Sequence, residues 1–272
     1  MRLMGEIFPQ RGEGVETPIE RGLGKRIFPQ RGDRKKTTGF FSARGVETPI
    51  ERGLGKNHNL GRLGVLLFIL FLLSFSFGQI KIARLRYEGG GDWYNDPDAI
   101  PNLAREIRRR TGVLVAEEEA HVSLLDKNLF SYPFLFVTGH GNIAFSEEEV
   151  KRLREFFDRG GFLYADDDYG MDESFRREMR KVFPNSELVE LPFDFPIYHI
   201  FYSFPNGLPK IHEHYEGRPK GFGIFHRGRL CVFYTWNTNI SDGWTEAHND
   251  PEEKREEAFR MGVNIFLYSL IR

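Results

Sequence analysis

The sequence predicts an α/β fold: a doubly wound, mostly parallel sheet with a late β-hairpin and a C-terminal helix. Three observations lead there. Short apolar runs alternate with segments of helical period along the second two-thirds of the chain. Two of the runs, Phe134–Val137 and Phe162–Ala165, are apolar without interruption, as strands buried on both faces must be. Finally, Phe222–Phe225 and Leu230–Thr235 flank His226-Arg227-Gly228-Arg229, the pattern of a hairpin.

Taken in order, Ile80–Tyr87 reads as the first strand. Asp96–Arg110 follows as a helix, with Pro97 and Pro101 near its start, Ile100, Leu103, Ala104 and Ile107 on one face, and Gly112 as its stop. Val113–Ala116 is the expected second strand. After Phe134–Val137, Ser146 and Glu149 stand at capping-box spacing ahead of Val150, Leu153, Phe156 and Phe157. Gly160-Gly161 ends that helix, and Phe162–Ala165 is the next strand. Asp172 is expected to cap a helix carrying Phe175, Met179 and Val182, with Pro184 beyond its end. Asp250-Pro251 opens the last helix, in which Phe259, Val263, Phe266 and Leu270 fall at helical spacing.

The chain before Gln79 is of another kind. Residues 1–62 hold 13 Lys/Arg against 7 Asp/Glu, and they repeat themselves: Ile7–Gly12 recurs at Ile27–Gly32, and Gly14–Lys25 recurs identically at Gly45–Lys56. Gly- and Arg-rich copies with little apolar content do not build stacked repeats, which need an apolar face. The segment reads as a disordered basic arm or, preferably, as sequence ahead of the true start. Residues 63–78 then form an apolar stretch behind Arg62, with Ser76 and Gly78 near its end. These 16 residues fall short of the roughly 20 needed to span a bilayer, which fits a signal peptide cleaved before Gln79. The expected location is periplasmic or secreted, with the membrane involved only if this segment is retained.

Residues 79–272 form the one expected domain, with 25 Lys/Arg against 32 Asp/Glu. That acidic balance gives no electrostatic help toward nucleic acid. The single cysteine, Cys231, allows no internal disulfide and lies in an apolar run, where a thiol is inert.

In an open α/β sheet, ligands bind beyond the carboxyl ends of the strands. Three loops are expected at that edge: Glu88–Asn95 with Asp92, Trp93 and Tyr94; Thr138–Asn142 with His140 and Asn142; and Asp166-Asp167-Asp168-Tyr169-Gly170. Adjacent carboxylates repel unless solvated, cation-bound or protonated, so the triplet marks a candidate site. Asp92, His140 and Asp166–Asp168 are expected to line one cleft, with Trp93, Tyr94 and Tyr169 as aromatic walls. His212 and His214, read as alternating residues of a strand, would face one side and are candidate ligands for a divalent metal. Tyr234–Asn239 with Asp242-Gly243-Trp244 has the composition of a sugar-binding surface. The sequence lacks the phosphate-loop pattern and the Gly-x-Ser-x-Gly elbow.

Arg84–Tyr87, Gly89–Asn95, Thr138–Asn142, Gly160–Gly170 and Leu208–His214 together resemble the bacterial family known as domain of unknown function 4159. The resemblance spans nearly all of 79–272. It implies a flavodoxin-like sheet of the class I glutamine-amidotransferase-like superfamily. That superfamily carries a nucleophilic cysteine at a strand-to-helix elbow, and no cysteine follows either apolar strand here. The resemblance therefore implies a fold without an activity. Two functions fit: a module binding a small polar ligand or a cell-envelope partner, and a carboxylate- or metal-dependent hydrolase acting on a glycan or related envelope substrate.

Overall fold

The computed structural model describes residues 79–272; the repeats and the apolar stretch at 63–78 lie outside the described residues. Among the described residues seven strands and four helices follow in order: β1 (Ile82–Arg86), α1 (Ala99–Thr111), β2 (Ala120–Ser123), β3 (Phe134–Val137), α2 (Glu147–Asp158), β4 (Phe162–Asp166), α3 (Asp172–Val182), β5 (Val189–Glu190), β6 (Lys220–His226), β7 (Arg229–Trp236) and α4 (Glu252–Ile271). The strands form one sheet in the order β2-β1-β3-β4-β7-β6-β5. The first five in that order run parallel; β6 and β5 add an antiparallel edge. This is a flavodoxin-like arrangement, and its strand order reverses between β1 and β3. Among the described residues no helix is long and apolar enough to cross a membrane.

Strand alternation divides the core into two layers. Phe134, Phe136, Phe162, Tyr164 and Phe233 point to one face, where α1 and α4 cover them. Leu135, Val137, Leu163, Ala165 and Val232 point to the other, under α2 and α3. Each fully buried large apolar side chain contributes about 1.5–3 kcal/mol. Close approach on the first face depends on Gly262 of α4. A Cβ there would lie 2.6 Å from Leu103 of α1 and 2.8 Å from the ring of Trp244.

Local signals agree with most boundaries. Ser146 accepts from the Glu149 amide while the Glu149 carboxylate accepts from the Ser146 amide, so the capping box opens α2. Gly112, at φ 75°, ends α1 in the left-handed turn that glycine tolerates best. Three expectations need correction. Val113–Ala116 is not the second strand: Val115 makes one bridge to Ile80, and β2 lies later, at Ala120–Ser123. Asp172 does not cap α3; it is the first helical residue, and its Oδ1 instead accepts from the Tyr234 hydroxyl at 2.8 Å. Lys210–His214 is not a strand, and the described chain between β5 and β6 is irregular apart from a turn of 3-10 helix at Pro196–Tyr198.

Candidate functional site

The parallel strands β1, β3, β4 and β7 send their loops to one edge, and backbone bonds join the first three loops. Ala144 N donates to Glu88 O at 2.7 Å and Gly91 N to Asn142 O at 3.0 Å, linking the β1 and β3 loops. Gly141 N donates to Tyr169 O at 3.1 Å, linking the β3 and β4 loops. The β1 loop is further held by Arg84, a buried residue of β1. Its guanidinium donates to the carbonyls of Trp93, Asn95 and Asp96 and pairs with Glu119 at 2.6 Å.

This framework places Asp92, His140 and Asp168 in one row. Asp92 Oδ2 meets His140 Nδ1 at 3.0 Å, and Asp92 Oδ1 accepts the His140 amide, so one carboxylate fixes both ring and backbone. His140 Nε2 lies 3.3 Å from Asp168 Oδ2. The imidazole is 49% exposed, whereas Asp168 is 2% exposed. Gly139, at φ 136°, makes the approach possible: a Cβ there would fall 2.4 Å from the Tyr87 hydroxyl and 3.0 Å from Asp92 Oδ1.

The aspartate triplet divides into two roles. Asp166 accepts from the Thr235 hydroxyl and from the amide and hydroxyl of Ser241, and Asp167 accepts from the Met171 amide and the Tyr234 hydroxyl. Burial pushes both carboxyls up to about 6, against these stabilising hydrogen bonds. Both are engaged in holding the β4 turn to β7 and α3. Asp168 alone turns toward the other loops. It accepts from Asn239 Nδ2 at 2.8 Å and from Asn95 Nδ2, and it is pushed up to about 8 by burial and then by the charges of Asp242, Asp166, Asp96 and Asp92.

Sequence reasoning named Asp242 only within a sugar-binding composition and did not join it, Asp96 or His248 to the cluster. Asp242, on a 3-10 turn beyond β7, is buried; its Oδ2 meets His212 Nδ1 at 2.8 Å and Asn239 Nδ2 at 3.2 Å. Asp96 Oδ1 meets His248 Nε2 at 3.0 Å. One oxygen from each of Asp96, Asp168 and Asp242 lies within 4.8 Å of the others, and a second such group joins His212, Asp242 and His248. These are the described residues best placed to hold a metal. The signal was present: β7 is the fifth parallel strand, so its carboxyl end had to open on the same edge.

The remaining candidates are distributed more widely. His212 is bonded through both nitrogens, to Asp242 and Asp250, and these carboxylates push it up to about 9, so it stands as a protonated bridge. His214 faces Asn239 at 3.0 Å and is pushed down by burial; its ring stands 6.1 Å from that of His212 at 83°, not in the parallel register of a strand. Asn142 ties Gly89 O to Arg177 with its two ends. Trp93 packs edge-on against His121, and Tyr94 is 64% exposed beside it. Tyr169 stacks at 5.6 Å on Tyr215, which stacks at 5.3 Å on Trp236. The aromatic surface is this trio; Tyr234 and Trp244 are buried in the core. Cys231 is buried in β7 and pushed up to about 12 by desolvation. A groove lined by Arg154, Asp158, Phe183 and His226 lies at the opposite edge of the sheet and shares none of these residues.

No curated protein sequence matches this chain. A family model described as Domain of unknown function (DUF4159) matches residues 81–270, which include every described strand, α1 to α3, all of α4 but its last residue, and the side chains of the candidate site. The chain therefore belongs to the DUF4159 family.

Proposed function

We propose that this chain is a binding module for a donor-rich polar ligand, hydroxylated or amine-bearing, held at the carboxyl edge of the sheet. One observation carries the reading. Asp168 is almost wholly buried, yet its neighbours are two neutral amides and the His140 imidazole rather than a lysine or arginine. A ligand presenting hydroxyl or ammonium hydrogens would add donors to those two amides. The stacked rings of Tyr169, Tyr215 and Trp236 add flat apolar faces that suit a sugar ring.

Placement in the glutamine-amidotransferase-like superfamily is part of this reading. The strand order and the turn from β3 into α2 support it. A module of that descent without the elbow cysteine would keep the pocket and lose the acyl chemistry. The basic flank and apolar stretch at 62–78 support export, and with it a cell-envelope ligand or partner.

A second reading is favoured by the Asp92–His140 pair. An imidazole held through Nδ1 by a carboxylate could serve as a general base through Nε2, which here faces Asp168 at 3.3 Å and would have to exchange that contact for substrate. Saturation-transfer NMR of the protein with glucosamine, N-acetylglucosamine disaccharide and putrescine tests both. Binding that falls in Asp168→Asn and Tyr215→Ala supports the module. Release of new reducing ends, abolished by His140→Ala, supports the hydrolase instead. If none of the three probes binds, the donor-rich ligand class is wrong.

A further inference from the structure

We propose that Asp96, Asp168 and Asp242 form a site for one divalent cation that takes oxygen ligands, of the Mn2+, Mg2+ or Ca2+ kind, with His248 at its mouth. The proposal rests on the reading of this edge as the ligand site and names what would hold the ligand there. The three carboxylates come from the loops after β1, β4 and β7, and one oxygen of each lies within 4.8 Å of the others.

Clustered acids alone do not make a site. The independent observation is an orphan. Oδ1 of Asp242 is buried and has no hydrogen-bond partner among the described residues, in a side chain 1% exposed. The other oxygen of the same carboxylate is fully engaged by His212 and Asn239. Leaving a buried acceptor without a donor is costly. A second buried orphan belongs to a neighbouring side chain: Asn239 Oδ1 has no hydrogen-bond partner among the described residues, while its Nδ2 reaches both Asp168 and Asp242. An amide carbonyl is also a hard oxygen donor.

The donor set decides the class of ion. Carboxylate and amide oxygens suit Mg2+, Mn2+ and Ca2+ better than the softer metals. His248 Nε2, 3.0 Å from Asp96 Oδ1 and 3.9 Å from Asp242 Oδ1, adds one imidazole, which Mn2+ accepts most readily of the three. His212 is a positioning residue. Both its nitrogens are committed, to Asp242 and Asp250, so it fixes the orientation of the ligating carboxylate from behind. A cation so held would offer open positions to the hydroxyls of a ligand.

The test uses the full chain stripped with a chelator and then titrated separately with Mn2+, Mg2+, Ca2+ and Zn2+. Calorimetry, Mn2+ paramagnetic resonance and the unfolding midpoint are followed. One saturable site is expected for at least one of the three oxygen-preferring ions, with a rise in midpoint. Asp242→Asn should weaken it about tenfold or more. Since that variant alters a buried residue, Asp96→Asn, in the loop ahead of α1, is the second; each must show parent-like circular dichroism without metal. Glu253→Gln, on exposed α4 surface, should bind as the parent does. No saturable binding by the stripped parent overturns the proposal and leaves the orphan to water or a proton. Parent-like binding by both aspartate variants, or binding of Zn2+ alone that His214→Ala abolishes, overturns it as well. Repeating the NMR ligand test in chelator separates the two readings. Organic ligand binding without any metal site sinks this inference alone, and metal binding without any organic ligand sinks only the other.

Discussion

Gly139→Ala should damage both stability and the candidate site, and its effect can be worked from two geometric facts. The backbone at Gly139 has φ 136°, a region closed to residues with a Cβ, and forcing one in costs about 1–3 kcal/mol. The added methyl would fall 2.4 Å from the Tyr87 hydroxyl. Tyr87 is buried, and its hydroxyl donates to Thr138 O at 3.0 Å; displacing it loses a bond of about 0.5–1.5 kcal/mol. Together the loss should be about 2–4 kcal/mol in urea unfolding. The same methyl stands 3.0 Å from Asp92 Oδ1, the acceptor of the His140 amide, so Asp92 must retreat from His140. The ring-nitrogen chemical shifts of His140 should therefore move. A variant within about 0.5 kcal/mol of the parent, the noise of a neutral surface change, with unaltered His140 resonances would refute the claim that this glycine sets the site.

Two further outcomes concern the scaffold. Arg110 of α1, nearly buried, pairs with Glu106 and with Glu256 of α4, and its hydrogen bond holds the Glu256 carboxyl below its ordinary range. A depressed acid stabilises the fold above its unfolded value of 4.5, and that contribution is lost as pH falls through the lower folded value. Glu256→Gln should thus lower stability by about 0.5–1 kcal/mol at neutral pH, since Glu256 is half exposed, with the difference vanishing in acid; a pH-independent difference in denaturant midpoints would contradict this. Cys231, buried and pushed up to about 12, should be alkylated by iodoacetamide about a thousandfold or more slowly in the native protein than in the unfolded chain, and comparable rates would contradict its placement.

The parts of the fold that could be read from sequence are those in which the local pattern and the final environment coincide. Phe134–Val137 and Phe162–Ala165 are apolar because both faces of the central strands are covered, and Ser146–Glu149 caps α2 through its own side chains. β2 escaped because it is an edge strand with Val122 as its one buried residue, while the stronger apolar run at Val113–Ala116 makes only the single bridge of Val115 to Ile80. In the site, Asp92, His140 and Asp168 were legible because each directly follows a recognisable strand. The place of Asp242 at this edge was not, nor was His248, because β7 reads locally as half of a hairpin, and its parallel pairing to β4 is a long-range fact. His212 and His214 misled for a related reason. Their alternation mimics a strand, but Pro205, Pro209 and Pro219 surround a segment that pairs with no ladder.

The site is also made of contacts that span most of the chain. Asp168 and Asn239 are 71 positions apart, Asp98 and Thr245 147, and Asp96 and His248 152. Such closures come late, because the entropy of a long loop must be met before its contacts can form. An intermediate holding only β1 through β4 would present the Asp92–His140–Asp168 row without Asn239 or Asp242, and so without the groups that enclose it. A ligand held at this edge as proposed would bind only chains whose segment after β7 has docked, and would draw the folding equilibrium toward that final step.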